Sequence, residues 1–79
     1  MHIITEENVG ASEMTPEEKE KALLHHMIHH NEQHLEEFCS LRDTLSGEGK
    51  SSAAEELSQA IACAEKLLSH LNAAFDAMR

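Results

Sequence analysis

The chain has no Trp and no Tyr, and only two Phe. It therefore lacks the aromatic surface on which nucleobases stack, and an aromatic ligand box cannot be assembled from what is present. Positive charge is equally scarce: six Lys and Arg stand against fifteen Asp and Glu, a formal charge of -9. Phosphate backbones and anionic membranes are poor partners for such a surface, so no nucleic acid and no membrane is expected to bind. No apolar run approaches the roughly 18 residues of a membrane span, and no basic-then-apolar leader is seen. With only two cysteines, Cys39 and Cys63, and no cysteine pair at zinc spacing, the composition predicts a reduced, cytoplasmic chain without a disulfide framework. At 79 residues the chain is one small domain that needs a subunit, a metal or a cross-link to complete its core.

Breakers are few as well, with one Pro and three Gly. Residues 1–14 show no helical period and read as a flexible N-terminal segment, in which His2 beside the terminal amine is at most a weak chelator. Residues 15–79 read as the helical domain. Thr15-Pro16-Glu17-Glu18 combines an N-cap, Pro at the first helical position and a capping-box Glu, and the helix it opens is predicted to run near 16–46 with Gly47 as its left-handed stop. Gly47 to Ser51 is a short polar connection, which makes the two flanking helices antiparallel neighbours. Ser52 and Glu55 repeat the box spacing, and a second helix is predicted near 53–78.

Both helices carry steps of three and four. Leu57, Ile61, Ala64, Leu68, Leu71, Phe75 and Met78 give the second helix a regular seam, widened on one side by Ala60, Leu67 and Ala74. In the first helix the reading is Leu24, Met27, Asn31, His34, Phe38, Leu41 and Leu45, with two polar residues in the middle. The fold expected is an all-α antiparallel two-helix hairpin, pairing into a four-helix bundle as a homodimer because one hairpin cannot cover the wider apolar edge.

The first helix also holds the chemistry. His25, His26, His29, His30 and His34 are five of the seven histidines, packed into ten residues. Histidines four apart on a helix share a face with Cβ atoms about 5–6 Å apart, close enough for two imidazoles to hold one ion. His26, His30 and His34 form such a ladder, and Glu37 falls back onto its stripe. On the predicted seam this ladder climbs the edge of the helix pair, half shielded from water. Hairpin register sets His70 near Met27 and brings it to the same side, so His26, His30, His34, His70 and Glu37 are the candidate metal ligands. A divalent transition ion, Zn²⁺, Ni²⁺ or Co²⁺, suits such imidazole and carboxylate donors. His25 and His29 form a second pair further round, expected to be solvated.

Enzymatic patterns fail. His30-Asn31-Glu32-Gln33-His34 has the two histidines of a zinc protease helix, but its Glu stands one place too late to act as general base. No Glu-x-x-His pair of the di-iron bundles occurs. The expectation is a binding module with no catalysis, storing, delivering or sensing a metal. The competing reading treats the cluster as wet surface on a structural module that docks to a larger protein. At His26, His30, Asn31, Glu32 and His34, followed by Glu36, Glu37 and Phe38, the chain resembles small bacterial and archaeal helical-hairpin proteins with an H-x-x-x-H-N-E-x-H pattern ahead of an Ala- and Leu-rich helix. The resemblance spans roughly residues 20–78 and implies a hairpin and a shared histidine motif, without an activity. His25 and His29 depart from that pattern.

Overall fold

Thr15 opens the first helix by closing a reciprocal cap. Its hydroxyl accepts the Glu18 N–H at 3.1 Å while the Glu18 carboxylate accepts the Thr15 N–H at 2.9 Å, and Pro16 needs no partner at the first helical position. In the computed structural model, which describes residues 14–79, two helices follow: α1 (Pro16–Gly47) and α2 (Ser51–Ala77). The secondary structure of the described residues is all helical, with no strand among them, and the two helices pack on each other as an antiparallel hairpin. The readings made for residues 1–13, including His2, lie outside the described residues.

The turn differs from the expected one. Gly47 is the last residue of α1, and the left-handed position belongs to Gly49, whose φ is +80°. Lys50 N–H donates to the Leu45 carbonyl at 2.9 Å and Gly49 N–H to Ser46 at 3.0 Å, the paired bonds of a Schellman stop. Extending α1 through Gly47 costs little, whereas the chain reversal itself needs positive φ, so glycine is required two residues later than anticipated. The start of α2 also differs: it begins at Ser51 with Lys50 as N-cap and no side-chain cap. The Ser52 box does not form, and Glu55 instead accepts a bond from Gln59 Nε2 at 3.2 Å.

The α2 seam is as read. Ile61 and Leu68 are buried, and Leu57, Ala64, Leu71, Phe75 and Met78 are half-buried, with buried Ala54 extending the series toward the turn. The α1 seam is rotated from the reading by about 40°. Ile28 is its one buried residue and Leu35 is half-buried, while Met27 and Leu41 are 38% and 51% exposed. Leu24, Ile28, Asn31, Leu35, Phe38 and Leu45 form the working seam. Ile28 and Leu35 lose less rotamer freedom on burial than Met27 and bury no polar atom as His34 would, and they take the interface. Asn31 meets its polar need locally, donating from Nδ2 to the Met27 carbonyl at 2.8 Å.

This rotation gives the hairpin two unlike faces. Residues standing one place before a seam residue lie on one face, and those one place after it lie on the other. Among the described residues four large apolar side chains remain exposed: Leu23, Met27 and Leu67 each precede a seam residue, and Leu41 precedes half-buried Arg42, which fills the seam position between Phe38 and Leu45. The opposite face is polar, with Glu32 and Glu36 on α1 and Glu65, Asn72 and Asp76 on α2. Among the described residues no helix is long and apolar enough to cross a membrane. Cys39 and Cys63 are free thiols.

Candidate metal site

α1 is continuous through the histidine run, as no Gly or Pro interrupts residues 17–46, and the rings therefore stack at the spacing of its turns. His26 and His30 have centroids 5.7 Å apart and lie nearly parallel, at 27°. His30 and His34 meet edge to face, centroids 4.4 Å apart and planes at 90°. Above them Phe38 lies parallel to His34 at 6.2 Å, 11° between planes. The ladder read from the sequence is present, but its members differ in what they offer. His30 and His34 point their Nε2 atoms at each other, 2.9 Å apart. His26 presents a ring face to His30.

Glu37 touches the ladder from its other side, its Oε1 lying 3.0 Å from His34 Nδ1. A carboxylate only accepts, so the Nδ1 of His34 must carry the proton and its Nε2 keeps a lone pair in the neutral ring. Glu37 thus orients His34 and sets its tautomer, the role that outer-shell carboxylates play at imidazole-bound metals. An ion about 2.1 Å from both Nε2 atoms of His30 and His34 would see them about 90° apart, which leaves room for further ligands.

The remaining candidates are placed differently from the reading. His26 and His30 are exposed, His34 is half-buried, and His70 is exposed on α2, so the ladder is less shielded than the expected seam would have made it. The cause is the rotation toward Ile28 and Leu35. His30, His34 and Glu37 nevertheless share one face with His70, since each stands one place before a seam residue. Among the described residues no group of three His, Cys, Asp or Glu side chains gathers around one point. An open depression of about 320 Å³ lies on the outer surface of α1, lined by His26, His29, His30, Glu32, Gln33 and Glu36. Members of both the ladder and the second histidine pair line it.

That second pair has more structure than the sequence reading gave it. The Nε2 atoms of His25 and His29 are 3.2 Å apart, with ring centroids at 4.5 Å. Glu32 Oε1 stands 3.3 Å from His29 Nδ1. His25 also reaches α2, its ring centroid 6.2 Å from that of Phe75. A signal for this was in the chain: His-x-x-x-His-x-x-Glu occurs at 25, 29 and 32 and again at 30, 34 and 37.

The fold and side chains define a helical hairpin whose first helix bears paired imidazoles, each pair backed by a carboxylate. Residues 20–78 match the family described as Domain of unknown function (DUF8180), and the chain belongs to that family. No curated protein and no solved structure matches the chain.

Proposed function

We propose that the protein is a non-catalytic, homodimeric metal-binding module that stores, delivers or senses a divalent transition ion such as Zn²⁺, Ni²⁺ or Co²⁺. The observation that carries this reading is the convergence of His30 and His34 Nε2 at 2.9 Å with Glu37 against the far nitrogen of His34. Two bare nitrogens held that close repel each other unless a proton or a cation lies between them. His30 and His34 are the primary ligands, His26 joins by turning its ring from the stack, and Glu37 orients His34. His70 supplies a further donor on the same face.

A second copy completes both the fold and the site. Among the described residues only Ile28, Ala54, Ile61 and Leu68 are buried, a small core for a free-standing domain. Leu23, Met27, Leu41 and Leu67 surround the candidate ligands on one face. Covering that face with the same face of a partner forms a four-helix bundle and sets two ligand clusters toward each other. Donors missing from one protomer then come from its partner.

The test uses tag-free protein stripped with a chelator, since a histidine cluster collects nickel from affinity resin. Calorimetric titration with Zn²⁺, Ni²⁺ and Co²⁺ is expected to give a defined stoichiometry, weakening in mild acid because protons compete for neutral imidazole. His30→Ala is expected to remove this binding, and light scattering to give a dimer. Absence of any saturable binding, with an unchanged apolar face, would transfer the protein to the docking reading, in which Leu23, Met27, Leu41 and Leu67 receive a larger partner.

A further inference from the structure

We infer that the polar face of the hairpin carries a second, independent divalent-cation site, formed by His25 and His29 and oriented by Glu32. The inference shares its chemistry with the site proposed above but none of its residues.

The two constellations are the same arrangement displaced by five residues. That offset turns them about 140° around α1 and raises one about 7.5 Å above the other, too far for one ion to be shared. His25 and His29 each stand one place after a seam residue, opposite to His30 and His34. Among the described residues no large apolar side chain is exposed on this face, so a partner that covers Leu23, Met27, Leu41 and Leu67 leaves it open to solvent.

The nitrogen geometry fits an ion. Two Nε2 atoms 3.2 Å apart subtend about 100° at a metal 2.0–2.1 Å from each, close to the tetrahedral angle that zinc prefers. Glu32 beside Nδ1 puts the proton there and leaves a lone pair on His29 Nε2. Without metal, His25 must then donate from its own Nε2 to fill the 3.2 Å gap. When an ion enters, that proton leaves Nε2 and one is taken up from water at His25 Nδ1, so the ring changes tautomer and the proton count is conserved. Phe75 of α2 lies near the His25 ring, 6.2 Å between centroids, which sets this site beside the second helix of the hairpin. Glu36, Glu65 and Asp76 lie on the same face and favour a cation over an anion. Two protein nitrogens with water in the remaining positions suit a labile, exchangeable ion.

Imidazole-nitrogen NMR of the full, chelator-treated, tag-free chain during Zn²⁺ titration separates the sites. The expected result is about two ions per chain, with His25 passing from the Nε2–H to the Nδ1–H form as one of them binds. His34→Ala should silence the His30 response and leave that of His25 and His29; His29→Ala should do the reverse. Glu32→Ala should weaken the second site alone by about 10- to 100-fold. If the His25 and His29 nitrogens stay unmoved at zinc concentrations that saturate His30, or if His29→Ala leaves the stoichiometry unaltered, the second site does not exist. If His25 and His29 respond while His30 and His34 do not, this site stands and the one proposed on the apolar face falls.

Discussion

The two helices are held in opposite ways. α1 is fixed at its ends: a reciprocal Thr15–Glu18 box starts it, a Schellman turn stops it, and it buries a single residue between them. α2 has no side-chain cap at its start yet buries Ala54, Ile61 and Leu68 on a regular seam. Local bonds define where α1 lies, and packing defines where α2 lies. This division frees the middle of α1 from the core. A helix whose termini are secured can give five positions in ten to histidine and keep its shape, because four of those side chains are exposed and none is buried; His34 is half-buried beside Phe38, and His25 lies near Phe75 of α2. α2 supplies three of the four residues buried among those described, and α1 carries the histidine run.

The largest effect should come from breaking the packing of α2. Leu68→Ala removes a buried side chain from the centre of the α2 seam and is expected to cost about 2–3 kcal/mol, read as a fall in the thermal midpoint of the helical circular-dichroism signal. A loss below about 0.5 kcal/mol would mean that the seam is not what holds α2.

How much of this was legible in the sequence follows the same division. The α2 seam could be read residue by residue, since every position from Leu57 to Met78 in the three-four series is apolar and no polar residue competes. In α1 the histidines and Asn31 dilute the pattern, and two registers, through Met27 and Leu41 or through Ile28 and Leu35, have nearly equal claims. The choice is made by the partner helix, which a one-dimensional period does not contain. The four-residue ladder was legible for a similar reason, as helical spacing alone brings His30 to His34. Which nitrogen of His34 meets Glu37, and that His25 reaches Phe75, depend on ring rotations and on the second helix.

A smaller effect should separate the two glycines of the turn. Gly49 has φ +80° and open space where a Cβ would stand, so Gly49→Ala meets only backbone strain, about 1–2 kcal/mol. Gly47 is helical and equally unobstructed, and Gly47→Ala should stabilise α1 by about 0.5–1 kcal/mol. Denaturant melts of the two variants should therefore move in opposite directions. Equal shifts would show that the stop of α1 is not located at Gly49.

The smallest effect sharpens the comparison most, because it sets one capping signal against its copy. Thr15 and Ser52 each precede a Glu by three residues, and from spacing alone they are equivalent. In the hairpin Thr15 accepts the Glu18 N–H and is answered by the Glu18 carboxylate, whereas Ser52 lies one residue inside α2 and Lys50 takes the cap position without a side-chain bond. Thr15→Ala should thus cost about 1 kcal/mol, the usual worth of an N-cap, and fray the first turn of α1. Ser52→Ala should cost nothing and can gain a few tenths of a kcal/mol, since Ala is the better residue inside a helix. Amide hydrogen exchange over residues 17–20 and 51–55 reads both ends directly. Fraying is expected only in the Thr15 variant; fraying at Ser51–Glu55 in the Ser52 variant would show that α2 depends on its own cap and not on the seam, and the contrast between the helices would be lost.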